Sequence, residues 1–279
     1  MAPDTAAATT PASADTRQRE LEGRVAVVTG GAKGIGRLVG ELMAREGAAV
    51  VVAGRDQGAI DAAVGELNGA PTEGRVIGMR CDVTSEDDTK ALVAQTLEAF
   101  GRVDILVNSA GGTGPIETPC HEYPADEFRN ILELNIVGTF LPCKAVIPAM
   151  IASGSGRIVN IAGTSGLRGY RNRSGYSASK WAVRGFTRTL ALELGQYGIT
   201  VNDVCPNVTN GARMDRIVTT KAARSGSTAD EVYAEFASQT ALGRFVDEID
   251  VAEAVLFLAS DRAKNITGHD IVVDAGWDV

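Results

Sequence analysis

The stretch TGGAKGIG at residues 29–36 decides the fold class of this chain. It follows the apolar run RVAVVT at 24–29 and opens a segment of helical period. Its glycines, Gly30, Gly34 and Gly36, allow a tight turn, a close approach of backbone to a pyrophosphate, and close packing of helix on strand. Two glycines can also simply end a strand. Their place between a strand and a helix favours a dinucleotide-binding turn, at which helical N–H groups meet phosphate oxygens.

Short runs rich in Val and Ile alternate with longer segments of helical period along the rest of the chain, as in repeated βαβ units. We place strands at 24–29, 49–54, 75–80, 103–107, 157–161, 199–204 and 270–273. We place helices near 35–46, 57–68, 85–100, 125–152, 174–195 and 247–260. Near-continuous apolar strands require helices on both faces of their sheet. The sequence therefore predicts an α/β fold, a single-domain Rossmann-type doubly wound parallel sheet, over residues 20–279.

Composition limits the classes of function. The chain has 279 residues, 44% of them hydrophobic, and a formal net charge of −8. An acidic chain has no cationic excess with which to neutralise a nucleic-acid backbone, so we expect no nucleic-acid partner. Residues 1–19 are rich in Ala and Thr and contain no apolar run, which predicts a disordered tail. We expect no membrane partner. A transit peptide is disfavoured because Asp4 and Asp15 precede the first arginine.

Cysteine and histidine usage indicates the compartment. The four cysteines are scattered without a CxxC pair, and there are only two histidines. This usage predicts free thiols in a reducing compartment, hence a cytoplasmic protein, and no metal site.

Cofactor choice in a dinucleotide fold depends on the end of the second strand, where an acidic residue selects NAD and a nearby arginine accommodates the 2′-phosphate of NADP. This strand ends in VAGRD, so Gly54 takes the acidic position and Arg55 follows it. Lys33 lies inside the glycine turn, where we expect its side chain to face the same 2′-phosphate. Two cations favour NADP(H). Two alternatives stay open: a one-residue shift that presents Asp56 to the ribose, and a reading of Lys33 and Arg55 as solvated loop charges.

Tyr176 and Lys180 lie four residues apart in a helical segment, so their side chains share one face. A free phenol titrates near 10, but an adjacent ammonium favours the phenolate and lowers that pKa. The pair is therefore a candidate centre for proton exchange with a carbonyl or alcohol oxygen.

The order of motifs along the chain resembles the classical short-chain dehydrogenase/reductase family over about residues 21–279. These motifs are TGGAKGIG at 29–36, CDV at 81–83, NSAG at 108–111, Asn135 in LNIVG, YSASK at 176–180 and CPN at 205–207. The resemblance implies that Tyr176 is catalytic, that Lys180 also holds the nicotinamide ribose, and that Asn135 maintains a water-linked proton path. It further implies a cofactor site that includes Gly30, Lys33, Gly34, Ile35, Gly36, Arg55, Asp82, Val83, Asn108, Ala110, Gly111, Pro206, Val208 and Thr209. A homo-oligomer, tetramer or dimer, built through the helices near 125–152 and 174–195 is also implied.

The sequence departs from the family pattern in two places. The usual catalytic serine, thirteen residues before the tyrosine, is Gly163 here, and Thr164 and Ser165 are the nearest hydroxyls. A changed turn that brings Thr164, or as second choice Ser165, inward would compensate, and so would a hydrogen bond supplied by the substrate. After the sixth strand the family reads PG, whereas this chain reads Pro206-Asn207. The family threonine falls on Gly211, so Thr209, with backbone of Val208, is the nearest candidate to hold the nicotinamide carboxamide.

The region near the tyrosine carries local positive charge in this acidic chain. These cations are Arg168, Arg171, Arg173, Arg213, Arg216, Lys221 and Arg224. They would attract an anionic or carrier-bound substrate, but we interpret them as solvated or subunit-contact charges. Segment 207–245 is long and polar and is predicted to be a mobile lid.

The predicted function is an NADP(H)-dependent oxidoreductase that transfers hydride between nicotinamide and a small carbonyl or secondary-alcohol substrate. The alternatives are a non-redox dehydratase or isomerase, which Gly163 favours, and an NADPH-binding module.

Overall fold

A single parallel sheet organises the molecule. The structure is a computed structural model and describes residues 19–70, 72, 74–277 and 279. Seven strands pair in the order β3-β2-β1-β4-β5-β6-β7, which is the Rossmann arrangement predicted above. The strands are β1 (Val25–Thr29), β2 (Ala49–Gly54), β3 (Val76–Arg80), β4 (Ile105–Asn108), β5 (Gly156–Ile161), β6 (Ile199–Pro206) and β7 (Asp270–Val273). The predicted tail falls almost entirely on residues 1–18, outside the described part of the chain.

Helices cover both faces of this sheet. They are α1 (Gly34–Arg45), α2 (Gln57–Gly69), α3 (Glu86–Phe100), α4 (Ala125–Leu132), α5 (Gly138–Ser153), α6 (Ser174–Leu194), α7 (Ala212–Ser225), α8 (Ala229–Ser238) and α9 (Glu248–Ala259). Two apolar cores result. One packs α1 and α9 on the sheet, with Val39 and Val255 fully inside it, and the other packs α5 and α6, with Val146 and Leu190 buried.

The helix predicted over 125–152 is interrupted. A π-helical turn, Glu133–Val137, joins α4 to α5 and contains Asn135. By length and composition the composite Ala125–Ser153 would be able to cross a membrane. In the structure it buries Cys143 and Met150 against the sheet, as a core helix does.

The segment predicted to be a lid, 207–245, contains two helices that the sequence prediction missed, α7 and α8. A capping box begins α8, since Thr228 accepts from the N–H of Glu231 and Glu231 accepts from the N–H of Thr228. Apolar residues of both helices pack with Phe245 and Trp277 in a small cluster of their own. That it moves stays a prediction.

The chain changes its direction of winding beside β1, which pairs with β2 on one side and β4 on the other. Ligands bind at the carboxyl ends of strands at such a switch point. The carboxyl ends of β1, β4, β5 and β6 therefore define where the site is sought.

Candidate active site

A cavity of about 390 Å³ opens at these strand ends. It extends from the glycine turn that follows β1 to the start of α7, and Tyr176 and Lys180 line its wall. The residues that follow β4, β5 and β6 complete the lining, together with Glu248 at the start of α9. Four strand ends and the starts of four helices, α1, α6, α7 and α9, therefore contribute to one space.

The glycine turn has the shape that the sequence predicted. Gly30 has φ of +66°, and a Cβ there would lie 2.8 Å from Ala110 Cα. A Cβ on Gly36 would lie 2.4 Å from the carbonyl oxygen of Gly30, so a side chain is excluded at both positions. Helix α1 begins at Gly34, and Gly34 and Ile35 line the cavity. The unpaired N–H groups of that first turn thus face a space able to take a pyrophosphate.

The end of β2 lies where it was predicted. Gly54 is its last residue and Arg55 follows, exposed. Asp56 caps α2, since its Oδ1 accepts from the N–H of Ala59 at 3.1 Å. One oxygen of the Asp56 carboxylate is therefore engaged in the cap, and the alternative in which Asp56 meets the ribose stays open. In the described part of the chain no carboxylate lies within 4.0 Å of the Lys33 or Arg55 side-chain nitrogens.

The residues expected around the adenosine differ in their placement. Asp82 Oδ1 accepts from the N–H and hydroxyl of Thr84 at 3.0 and 2.8 Å, bonds that lower the pKa of this carboxyl despite partial burial. Val83 is buried and lies against Gly138. Neither they nor Arg55 line the cavity, whereas Ala110 and Gly111 do.

The side chain of Asn108 lies away from the cavity, and its role at the cofactor stays a prediction. Its side chain points into the core, where Nδ2 donates to Asn160 Oδ1 at 2.9 Å and to Cys143 Sγ at 3.3 Å. The amide therefore joins β4 to β5 and does not line the cavity. Asn160 continues the connection through Thr187 to Asp203, a buried polar chain beneath the site.

Tyr176 and Lys180 lie one turn apart on α6, as the spacing predicted. Lys180 Nζ is 5.8 Å from the centre of the Tyr176 ring and donates to the carbonyl oxygen of Ile161 at 2.7 Å. Burial acts to raise the pKa of Tyr176, but the charges of Lys180, Arg213 and Arg173 outweigh it, and the pKa falls below its usual value. Burial also lowers the pKa of Lys180. The phenol is thus prepared to exchange a proton.

Asn135 lies behind this pair. Its Oδ1 accepts from the N–H of Gly112 at 2.8 Å, and its Nδ2 donates to Ser179 Oγ at 2.9 Å. Ser179 in turn donates to the carbonyl oxygen of Tyr176 at 2.7 Å. The π-helical turn that places Asn135 here therefore ties the loop after β4 to the first turn of α6. Sequence reasoning missed Ser179, since a serine inside YSASK carries no signal of its own.

The basic residues are not uniformly solvated, contrary to our interpretation. Arg173 and Arg213 line the cavity, and the Arg173 guanidinium carbon is 4.7 Å from the Tyr176 ring centre. Others make structural contacts: Arg216 donates to Thr113, Arg224 to the carbonyl oxygen of Glu117, and Lys221 to Glu235. The charge pattern in an acidic chain was the available signal for Arg173 and Arg213.

The departures from the family pattern meet at one point. A Cβ on Gly163 would lie 3.8 Å from the Tyr176 hydroxyl and 3.5 Å from the Pro206 carbonyl oxygen. Position 163 thus faces the reaction centre but carries no side chain. Thr164 Oγ1 is paired with the Tyr170 hydroxyl at 2.9 Å, and Tyr170 also accepts from Asn207 Nδ2 at 3.1 Å. The catalytic role of Thr164 stays a prediction, with its hydroxyl engaged by Tyr170.

At the nicotinamide end, Pro206, Val208 and Thr209 line the cavity as expected. The Thr209 hydroxyl donates to the Asn207 carbonyl oxygen at 3.3 Å, which holds the side chain beside the loop.

Replacing Gly163 with serine is expected to reduce the free energy of unfolding by about 1–3 kcal/mol, because φ of +88° is costly for any residue with a Cβ. Gly163→Ala is the matched control, since it adds the same strain without a hydroxyl. Chemical denaturation measures the loss of stability. The ratio of kcat between Gly163→Ser and Gly163→Ala measures the effect of the hydroxyl alone. A serine variant as stable as the parent would contradict the expectation.

Comparisons with known proteins agree with this geometry. The family model described as Enoyl-(Acyl carrier protein) reductase matches residues 30–278. The Short-chain reductase protein NovJ of Streptomyces niveus is 36% identical over 268 residues, 96% of this chain and 99% of that protein.

Two solved structures share the fold. A variant of the actinorhodin polyketide ketoreductase with NADPH has a TM-score of 0.86 and 35% identity, and the match covers 91% of this chain and 97% of that one. An NAD+-bound xylitol dehydrogenase has a TM-score of 0.87 and 31% identity, over 92% of this chain and 100% of that one. With the glycine turn, Tyr176 and Lys180 in place at the switch point, the chain belongs to the short-chain dehydrogenase/reductase family of oxidoreductases.

Proposed function

We propose that this protein is an NADP(H)-dependent oxidoreductase that transfers hydride between the nicotinamide and a small carbonyl or secondary-alcohol substrate. The observation that carries the proposal is Tyr176, whose pKa is lowered by the surrounding cations and which opens on the same cavity as the glycine turn. A phenol so placed is a proton donor to a carbonyl oxygen and, in reverse, an acceptor from an alcohol.

The residues present fit a nicotinamide dinucleotide. The side-chain-free surface at Gly30 and Gly36 and the start of α1 suit its pyrophosphate. Ala110 and Gly111 suit the middle of the molecule, and Pro206, Val208 and Thr209 the nicotinamide end. When bound, the cofactor supplies or accepts the hydride.

The chain's own groups handle the proton. The Tyr176 hydroxyl donates to the carbonyl oxygen during reduction, and Lys180, Arg213 and Arg173 stabilise the phenolate that remains. Lys180 is held by the Ile161 carbonyl oxygen, so its ammonium keeps a defined position one turn from the phenol. Asn135 and Ser179 orient the start of α6 and thereby the tyrosine.

The preference for NADP(H) rests on Lys33 and Arg55, because relatives of known structure hold either cofactor: the ketoreductase NADPH, the xylitol dehydrogenase NAD+. We expect NADPH to bind more tightly than NADH, and Arg55→Ala to reduce that preference by about tenfold or more, as loss of one charge-assisted hydrogen bond does.

Titration of both cofactors measures this preference. Arg45→Ala is the matched control, since Arg45 is an exposed arginine that pairs with Glu41 at 2.6 Å on α1. Equal affinities of the parent for both cofactors, or a preference for NADH that survives Arg55→Ala, would contradict the assignment.

A panel of carbonyl substrates, with NADPH oxidation recorded and products identified, tests the reaction class. Reduced products support the proposal. A dehydrated or isomerised product without NADPH consumption would favour the non-redox alternative. NADPH binding without turnover across the panel would favour a binding module.

We further propose a homo-oligomer built through α5 and α6. The side chains of Phe140 on α5 and Trp181 on α6 are 41% and 48% exposed, so each of these two helices presents a large apolar group to the surface. A cytoplasmic location stays a prediction. The four cysteines are free, and all but Cys120 are buried.

A further inference from the structure

Two arginines beside Tyr176 enter the cavity from different elements. Arg173 directly precedes α6, and its guanidinium stacks on the Tyr176 ring at 4.7 Å. Arg213 lies in the first turn of α7, and its Nη2 donates to the Gly111 carbonyl oxygen at 3.1 Å. Their charges therefore converge on the tyrosine at which a substrate oxygen must lie.

Neither arginine forms an ion pair within the described residues. No carboxylate there lies within 4.0 Å of either guanidinium. Arg184 on α6, by contrast, pairs with Asp270 at 2.8 Å. The cavity lining holds four basic side chains, Lys33, Arg173, Lys180 and Arg213, against one acidic side chain, Glu248. Arg173 is half-buried and Arg213 is exposed, and this excess of positive charge around the cavity would favour an anionic ligand.

The cofactor has other groups that can bind it. Its phosphates have the glycine turn and Lys33, and Lys180 is held at Ile161. Arg213 lies against Gly111, which belongs to the proposed cofactor surface. Arg173 is fixed against the reacting phenol itself. A guanidinium offers two parallel N–H donors that match a carboxylate.

We propose that Arg173 and Arg213 form a carboxylate-binding site, and that the substrate is a ketone or secondary alcohol that also carries a carboxylate. This inference rests on the proposed function and names its substrate class. Binding of the carboxylate by these arginines places the carbonyl oxygen at the Tyr176 hydroxyl.

Paired ketones test the site. Each aryl or alkyl keto acid, such as 4-acetylbenzoate, is compared with its isosteric amide, such as 4-acetylbenzamide, by kcat/KM with NADPH. We expect the acid to be preferred by about tenfold or more, and Arg213→Ala to reduce the acid-to-amide ratio by about ten- to a hundredfold. Any effect of Arg213 on Tyr176 changes the turnover of the acid and of the amide equally, so it cancels in the ratio. Arg173→Gln should act in the same direction.

The matched control is Arg224→Ala, which removes an arginine from the same helix outside the cavity and should leave the ratio unchanged. Equal kcat/KM for acid and amide in the parent, with turnover intact, would overturn the carboxylate site and leave the oxidoreductase function standing. A loss of NADPH affinity in Arg213→Ala without change in the ratio would assign that arginine to the cofactor, and would also overturn it.

Direct binding separates this inference from the reaction. Calorimetry with benzoate and with benzamide, in the presence of NADP+, requires no turnover. Benzoate bound more tightly than benzamide, and weakened by Arg213→Ala, supports the site even if no ketone on the panel is reduced. Equal binding of the two probes would overturn it.

Discussion

The Tyr176→Phe variant is expected to lose about 10²–10⁴ in kcat, the contribution of a positioned general acid, while its affinity for NADPH stays near that of the parent. The substitution removes only the phenolic oxygen, and the ring remains between Arg173 and Lys180. Steady-state kinetics with fluorescence titration of NADPH measure both quantities.

Tyr123→Phe is the matched control for that variant. The Tyr123 hydroxyl is buried beside Gly114 and Gly175 but has no hydrogen-bond partner within the described structure, so its removal should leave kcat unchanged. Lys180→Ala should reduce both kcat and NADPH affinity, since that lysine is assigned to the phenol and to the ribose. Normal turnover in Tyr176→Phe would disprove the mechanism.

The second large effect is on the free energy of unfolding of the protein, and it comes from the buried carboxyl of Asp203. Its Oδ1 accepts from Thr187 at 2.8 Å, and its Oδ2 has no donor. Burial raises the pKa of this carboxyl well above its ordinary value, against the Thr187 bond, and nearby Asp270 raises it further. Burial acts to raise the pKa of Asp270 as well, but Arg184 and Arg188 outweigh it and lower that pKa, so Asp270 stays ionised. A proton on Asp203 Oδ2 would satisfy that oxygen by donation toward Asp270.

The sign of the pH dependence follows from this pKa. An acid whose pKa is higher in the folded state than in the unfolded state binds more protons when folded. Its contribution to stability is present below the unfolded pKa, near 3.9, and is lost as pH rises toward the folded pKa, by at most about 1.4 kcal/mol per pH unit. Asp203→Asn keeps an acceptor for Thr187 and a donor toward Asp270 but cannot ionise.

We therefore expect the stability of Asp203→Asn to increase relative to the parent as pH rises from the unfolded pKa, near 3.9, toward the folded pKa of Asp203. Urea unfolding at several pH values measures the difference. Asp261→Asn is the control. Burial acts to raise the pKa of Asp261, but Arg24 and Arg157 outweigh it and the pKa is lowered. The contribution of Asp261 to stability is therefore lost only on acidification, at pH values below that range. Parallel stability curves for Asp203→Asn and the parent would show that the carboxyl is ionised in the folded protein.

The fold was predictable because its signals are local and repeated. Apolar strands and helical periods recur along the chain, and β2 ends at Gly54 where the VAGRD sequence placed its end. Helices α7 and α8 were missed because their outward faces are polar and their apolar residues pack only on a small cluster with Phe245 and Trp277. The π-helical turn at Asn135 was missed for a related reason, since it depends on hydrogen bonds to Gly112 and Ser179 that lie far away in the chain.

By itself the sequence determined the features that follow from the spacing of residues along the chain. The glycine turn requires glycine because of close approaches such as that between Gly36 and Gly30, and Tyr176 and Lys180 share a face because one helical turn separates them. The tertiary structure decided which charges meet there. Arg213 is 37 positions from Tyr176, and Asn108 faces the core although its motif suggested the cavity. Such placements depend on how β4, β5 and α7 pack, because contacts between distant segments follow from the burial of whole elements rather than from any local pattern.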